Sequence, residues 1–481
     1  MTGPLALVDQ GSTSTKAVLL DARGRTLASA EAATPSTGHA GRIAHDAEEI
    51  AVSVLALLGE VSAEGTPAGV GLACQRSTCL LWERETGAPL SVALSWQDTS
   101  TAGRLDPSTA ERVARITGLR LSPHYAAPKL AALLDERPDL RARAETGEVV
   151  AGTLDAFLVH RLTGRPATEP GHAGRSLLYD LERDAWSEEL CALFGVPAAA
   201  LPDLRPSVGP WGETPLGAPL VAVAGDQQAA LVGQGGWEPG VAAAHFGTGA
   251  FVLASTGATT RRHPGLLTAV LASTAAGRQF QIEGSVNSAG SAVDWAVGLT
   301  GEDLGAWAER PLSVEGPPWL FPALAGAAAP WWRPEARGVL AGLALGHEGP
   351  ELLGAVLAGV AHRVVDCVEA LREAGVVLEE LRLSGRLTRL SGLVQGIADL
   401  GRLPVRVSAV EETGLSGLAA LARAGLEGTT AGLTSGAPAG RRLDPALPAA
   451  AADSSRARWR VFATTALDLG ALGTELWGQV R

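Results

Sequence analysis

Lysine is nearly missing from this chain: 481 residues contain two, Lys16 and Lys129, and arginine carries almost all the other positive charge. Whatever bias removed lysine elsewhere makes the two survivors worth following. Cysteine is also scarce. Cys74, Cys79, Cys191 and Cys367 show no zinc-ligand spacing and no histidines cluster with them, so no zinc site is expected. An excess of basic charge is lacking too, because the formal net charge is -12. An acidic surface repels nucleic-acid phosphates and anionic lipid, and neither is expected as a partner. No uninterrupted apolar run approaches the roughly 20 residues that cross a bilayer. Asp9 interrupts the opening apolar run within ten residues, so no secretory leader is read there, and the expected location is cytoplasmic.

What remains is a globular composition, 46% hydrophobic and 19% charged, which excludes wholesale disorder. The length calls for two or three domains.

The stretch Leu5–Leu20 organises the reading. An apolar run ends in Asp9, a Gly11-Ser12-Thr13-Ser14 turn follows, and a second apolar run begins after Lys16. That pattern predicts a β-hairpin with small residues at its tip. Backbone N–H groups and hydroxyls at such a turn surround a phosphate readily, and Lys16 adds a point charge. Asp9 stands where a carboxylate would hold Mg2+ through water. Read alone, the segment serves equally well as an ordinary polar hairpin turn.

Further on, Ala47–Leu58 has helical periodicity and Gly69–Cys74 reads as a short apolar strand. Gln75-Arg76-Ser77 and Ser95-Trp96-Gln97-Asp98 each follow such segments, where open α/β sheets place ligand contacts. Arg76 suits hydroxyl groups and Trp96 offers a flat face to a sugar, although a surface ion pair and a core aromatic are the simpler alternatives. A helix over Leu130–Glu145 should break near Pro138, and Gly152-Thr-Leu-Asp155 should open another. Pro206–Thr214 reads as a connector. Leu220–Ala224 is a strand, and Asp226 lies between it and the next helix, fit for a general base or a plain N-cap. Val241–Phe246, Gly247-Thr248-Gly249 and Ala250–Ala254 repeat the layout of the first hairpin. Two such hairpins imply a duplicated architecture whose halves face each other, with one turn on each side for a polyphosphate. Glu351–Ala374 is the best helix in the chain; Cys367 lies on its apolar stripe as a core thiol, and Gly375 ends it. Leu381–Gly385 and Leu403–Val407 are strands, Ala437–Arg456 an exposed loop, and Trp459–Val480 a closing helix.

Eight segments stand in one order: Asp9-Gln-Gly-Ser-Thr-Ser-Thr-Lys16, Gln75-Arg76, Trp96-Gln-Asp98, Gly152-Thr-Leu-Asp155, Gly212-Glu-Thr214, Gly225-Asp-Gln-Gln-Ala-Ala-Leu231, Gly247-Thr-Gly249 and Ala329-Pro-Trp-Trp-Arg-Pro-Glu-Ala-Arg-Gly338. With them the chain resembles the FGGY carbohydrate kinases, and among these the glycerol kinases, over nearly its whole length. The resemblance implies an α/β fold of two ribonuclease-H-like domains, of the actin/hexokinase type, flanking a deep cleft. It assigns residues 1–222 to the N-terminal domain with the acceptor pocket and first phosphate hairpin. Residues 223–481 become the C-terminal domain with the second hairpin and the adenosine site. ATP-dependent phosphorylation of a small sugar or polyol is implied, with ATP and Mg2+ as cofactors and with dimers or tetramers common among relatives. Carried over residue by residue, Asp226 takes the proton from the acceptor hydroxyl. Gly11, Ser12, Thr13, Ser14, Lys16, Gly247 and Thr248 hold the phosphates, and Asp9 and Asp226 lie near Mg2+. Arg76, Trp96, Asp226 and Gln227 contact the acceptor.

Departures from the family pattern are as informative. Where glycerol kinases read Arg-Glu, this chain has Arg76-Ser77, and their substrate tyrosine aligns with His124, beside Tyr125. Ser77 and His124 thus line an altered acceptor pocket, with a ketopentose such as xylulose or ribulose as an alternative substrate. On the adenosine side the family's Asp-Gly-Gly appears as Ser384-Gly385-Arg386, its asparagine as Leu390, and a glutamine contact as Asp294. Arg386 obstructs the base, stacks on it or turns outward. The expectation is retained kinase chemistry with weakened ATP affinity or altered nucleotide choice. The rival reading is a non-catalytic or weakly active sugar-binding or regulatory relative with a decayed adenosine site. An actin- or chaperone-like nucleotide switch fits poorly with Arg76, Trp96 and Asp226 present.

Overall fold

A computed structural model describes residues 3–39, 41–433 and 440–477. The chain divides into two compact units. The first is Met1–Trp237, Thr268–Phe280 and Glu412–Gly436, and the second is Glu238–Leu267, Gln281–Glu411 and Ala437–Arg481.

The first unit is built on a six-stranded sheet in the order Val208–Glu213, Pro219–Gly225, Gly69–Cys74, Leu5–Gln10, Ser14–Leu20 and Thr26–Ala33. Leu5–Gln10 pairs antiparallel with Ser14–Leu20 and parallel with Gly69–Cys74, which is itself parallel to Pro219–Gly225. Strands covered on both faces read as continuous apolar runs, and every residue of Gly69–Cys74 is buried. Helix Ala47–Ser62 covers one face, its first turn capped by the Asp46 side chain accepting from the Glu49 amide. On the other face, helix Thr413–Glu427 crosses helix Asp226–Gly233 through glycine. A Cβ on Gly417 would stand 1.8 Å from the Ala229 carbonyl oxygen, so only glycine permits this approach. A smaller sheet, Thr37–His39, Arg42–His45, Ala93–Leu94, Cys79–Glu83 and Val149–Thr153, carries the loops after Cys74 and Leu94.

In the second unit, Gly240–Phe246 pairs antiparallel with Ala250–Gly257 and parallel with Leu378–Gly385. Val405–Ser408 continues the sheet in parallel, and Gly440–Leu443 closes it antiparallel. Helix Gly349–Glu373 supplies much of the core. Its Leu353, Leu357, Val360, Val364, Cys367 and Leu371 are fully or almost fully buried, and Gly375 follows the helix with φ 79°. All four cysteines are free and buried. Burial pushes Cys79 and Cys191 up to about 11 and Cys367 to about 12, so none is a nucleophile near neutrality.

Two expectations are corrected. Val208–Glu213 within the supposed connector is an edge strand, irregular in register between Val208 and Gly212; an edge position tolerates Pro210, which has no amide to donate. The supposed loop over Ala437–Arg456 contains the strand Gly440–Leu443 and the start of helix Ala449–Trp477, because alanine's helix propensity outweighs the flanking prolines. Its first residues, 437–439, lie outside the described residues, as does the end of the closing helix beyond residue 477.

Candidate active site

In the first unit the proposed residues gather at the ends of parallel strands. Leu5–Gln10 delivers Asp9, and the hairpin register sets Asp9 opposite Lys16. Its turn is closed by the Gly11 amide donating to the Ser14 carbonyl at 2.9 Å. Gly225 ends its strand and Asp226 opens the following helix, where a carboxylate faces the positive end of the helix dipole. Asp226 Oδ1 accepts from the Gln227 amide at 2.7 Å and lies 3.5 Å from Arg76 Nε. The Arg76 side chain is 10% exposed, so this is an enclosed pair rather than a surface one. Gln227 Oε1 is buried and has no hydrogen-bond partner among the described residues.

Three carboxylates crowd the hairpin base. Burial, and then the charges of Asp226 and Glu412, raise the Asp9 carboxyl to about 7, while Lys16 pulls it down. Lys16 Nζ donates to Glu412 Oε1 at 2.6 Å. Glu412 precedes helix Thr413–Glu427, and a Cβ on Gly414 would lie 3.0 Å from Asp9 Oδ2. The sequence reading did not single out Glu412; its only local signal was an acidic pair, Glu411-Glu412, ahead of an apolar helix. Among the described residues, no three His, Cys, Asp or Glu side chains stand close enough to hold a metal by themselves.

A chain of buried side-chain hydrogen bonds joins the Gly11 turn to the loops around Gln75 and Trp96. Gln10 and Gln75 side chains both donate to the Gly11 carbonyl, at 2.6 and 3.3 Å. Gln75 Oε1 accepts from the Thr78 hydroxyl, which in turn accepts from the Trp96 amide. Trp96 is half-buried rather than a core residue. Its carbonyl is 3.0 Å from His124 Nδ1. His124 is exposed and Tyr125 is 8% exposed. Desolvation chiefly, with the Lys129 charge in addition, lowers the His124 ring below its usual range. Ser77 has φ 66°, is buried, and turns its hydroxyl onto the Arg175 carbonyl at 3.3 Å. Lys129 reaches the same loops with three hydrogen bonds, although sequence gave it no role beyond its rarity.

In the second unit Gly247 and Thr248 form the hairpin tip. The Thr248 carbonyl accepts from the Ala289 and Ser291 amides, tying the tip to the start of helix Gly290–Thr300. Gly385, with φ 93°, backs directly onto the Phe246 carbonyl, where a Cβ would come within 2.2 Å. Arg386 neither stands free nor enters the core: it donates to the Gly290 carbonyl at 3.1 Å and pairs with Asp294. Two of the residues that depart from the family pattern on the adenosine side, Arg386 and Asp294, therefore engage each other. Leu390 is 4% exposed and packed in the hydrophobic core, so its side chain is not presented to a nucleotide.

Comparison with known proteins matches this geometry. Residues 5–233 match the N-terminal domain of the FGGY family of carbohydrate kinases, and residues 242–426 its C-terminal domain. The chain is 40% identical over 441 residues to a glycerol kinase of Geobacter sp. (strain M21), covering 85% of this chain and 88% of that one. It is 37% identical over 481 residues to a glycerol kinase of Rhodospirillum centenum, covering 94% and 96%. The fold matches the crystal structure of Plasmodium falciparum glycerol kinase with ADP at a TM-score of 0.89, with 24% identity and 97% and 98% of the chains covered. The crystal structure of a xyloylose kinase from Brucella ovis matches at 0.88, with 22% identity and 96% and 99% covered. Two domain matches spanning most of the chain, with relatives well above 30% identity, place it: this chain belongs to the FGGY family of carbohydrate kinases, phosphotransferases that act on an alcohol group, and has that family's two-domain actin-like α/β fold.

Proposed function

We propose that this chain phosphorylates a hydroxyl of a small sugar or polyol with ATP, in a pocket altered from that of the glycerol kinases. The single observation that carries the reading is Asp226, at a strand end, held by the Gln227 amide and within 3.5 Å of Arg76. Asp226 accepts the acceptor's hydroxyl proton as the oxygen attacks the γ-phosphorus. Arg76, Trp96, Gln227, Ser77 and His124 orient the acceptor, and Gln227 Oε1, without a partner among the described residues, takes a hydroxyl hydrogen once its side chain turns toward the bound acceptor. Phosphoryl transfer depends chiefly on positioning and charge neutralisation. Gly11, Ser12, Thr13, Ser14 and Lys16 serve the phosphates from the first unit, Gly247 and Thr248 from the second. In functional terms the first unit, which holds Asp226, supplies the acceptor side and the base, so the boundary expected at residue 222 moves past the base, and the second unit supplies the adenosine side.

The donor set fits Mg2+. Mutual repulsion among Asp9, Asp226 and Glu412 is relieved by a divalent cation, and the lack of a complete protein cage suits an ion that keeps waters and phosphate oxygens. Asp9 and Asp226 would hold it, and when bound it neutralises phosphate charge. Asp294, Gly385, Arg386 and Leu390 mark the adenosine side. Their state favours one second reading, a weakly active or non-catalytic sugar-binding relative, because Arg386 is committed to Asp294 and Leu390 to the core.

ATP consumption across glycerol, other polyols, D-xylulose and D-ribulose, alongside Asp226→Ala, separates the readings. The enzyme reading expects kcat to fall by about 10²–10⁴-fold in the variant. Consumption absent for every acceptor, or undiminished in Asp226→Ala, overturns it. Homodimers or homotetramers are the proposed assembly, to be sized by sedimentation. Among the described residues no helix is long and apolar enough to cross a membrane.

A further inference from the structure

Three loops of the first unit carry the proposed acceptor contacts: Gln75–Thr78, Leu94–Asp98 and Ser122–Tyr125. One side chain touches all three. Lys129, on helix Ala126–Glu136, is fully buried, and its ammonium donates to the carbonyls of Ser77 at 2.8 Å, Ser95 at 2.8 Å and His124 at 2.9 Å. An ammonium has three N–H donors and no acceptor, so its capacity is matched in full. No carboxylate pairs with it among the described residues. Burying a charge without a counter-ion is costly, and a core position that only needed filling would be met more cheaply by leucine or methionine. The three acceptors are not arbitrary. Ser77 and His124 are themselves proposed acceptor contacts, and Ser95 precedes Trp96. Ser77 also holds φ 66°, a conformation a non-glycine residue keeps only when its surroundings impose it, and the Lys129 bond is part of that surround.

We propose that Lys129 is the positioning residue of the acceptor pocket, a buried cation that locks the Ser77, Trp96 and His124 loops into one arrangement. The proposal rests on the carbohydrate-kinase reading for its functional meaning, but the locking itself is measurable without catalysis. Titratable groups facing Lys129 are Cys79, from strand Cys79–Glu83, Asp98, from the loop after Leu94, and the His124 ring. Burial pushes Lys129 down to about 8, against smaller opposing contributions from Cys79 and Asp98. Loss of one proton leaves two donors for three carbonyls, so one loop is released as pH rises through that value.

The test is amide hydrogen exchange on the full chain. In Lys129→Met, which keeps length and bulk, exchange should quicken at least tenfold in peptides covering all three loops, with peptides covering residues 5–16 unchanged. In the unmodified protein, exchange corrected for its intrinsic pH dependence should quicken in at least one of the same three segments, and not in residues 5–16, as pH passes 8, a measurement that stands even where the variant does not fold. With glycerol and D-xylulose as probes, the variant's acceptor KM should rise at least tenfold while the ATP KM stays within twofold. Exchange that quickens evenly across the unit, or only in helix Ala126–Glu136, overturns the proposal, as does a fall in kcat with both KM values unmoved. If no acceptor of the wider panel is phosphorylated, the kinase reading fails while exchange alone still decides the role of Lys129.

Discussion

The two glycine-tipped hairpins share a backbone plan and differ in chemistry. In each, the first strand pairs antiparallel with the second and parallel with a strand from far along the chain, Gly69–Cys74 in one case and Leu378–Gly385 in the other. In each, a further parallel strand follows and an antiparallel strand closes that edge. The first tip is charged, with Lys16 on Glu412 and Asp9 among carboxylates. The second is neutral and is fixed by the Thr248 carbonyl to a helix start. Duplicated topology thus sets the backbone plan of both tips, whereas the side chains confine the charge to one of them.

Two buried cations, one in each unit, show a similar contrast. In the second unit Arg456 donates to Asp366 and Glu369, and Arg363 to Asp366, a saturated network under Trp459. In the first, Lys129 has only carbonyls. A paired arginine is pushed further up and stays charged, while an unpaired lysine is drawn down toward neutrality.

The largest expected effect is on the saturated network. Arg456→Met removes the cation that bridges Asp366 and Glu369, leaving Asp366 to Arg363 and Trp459 and Glu369 to Arg460, and a urea melt should show a loss of about 3 kcal/mol; a loss under about 1 kcal/mol would erase the contrast between the units. Next comes pH. Because the folded pKa of Lys129 lies near 8 against an ordinary 10.5, the unfolded chain binds more protons across that window. Stability of the unmodified protein should therefore rise with pH there, relative to Lys129→Met, by roughly 3 kcal/mol in total. Global stability and pocket order then move oppositely above pH 8, which general softening of the fold would not reproduce. No such slope should separate the unmodified protein from Arg456→Met, since arginine does not titrate in this range.

Third, the charged tip should outweigh the neutral one. Lys16→Met removes a charge-assisted contact worth about 1.5–3 kcal/mol, or roughly 10–100-fold in kcat/KM for ATP, while Thr248→Val should cost about 1 kcal/mol, near fivefold. The reverse order would break the comparison. Smallest is base discrimination. With Arg386 held by Asp294 and Leu390 in the core, ATP and GTP should differ in kcat/KM by less than about tenfold. Strict preference for ATP would show that the adenosine side reads the base through other residues.

Sequence by itself determined the elements whose signal is local. The Leu5–Leu20 hairpin, the break at Pro138, the strand Gly69–Cys74 and the long helix ending at Gly375 follow from periodicity and from the backbone limits of glycine and proline. The order of short motifs was enough to indicate the family. Local pattern misled where two signals conflicted: prolines hid the edge strand at Val208–Glu213 and masked the helix that begins at Ala449. Only the tertiary structure decided which partners meet across hundreds of residues. It set Glu412 on Lys16, Arg386 on Asp294, Leu390 in the core, and Lys129 beneath three separate loops. The physical reason is that hydrogen-bond capacity and charge are properties of single residues, whereas their satisfaction depends on what the folded chain brings within about 3 Å, and no periodicity encodes that.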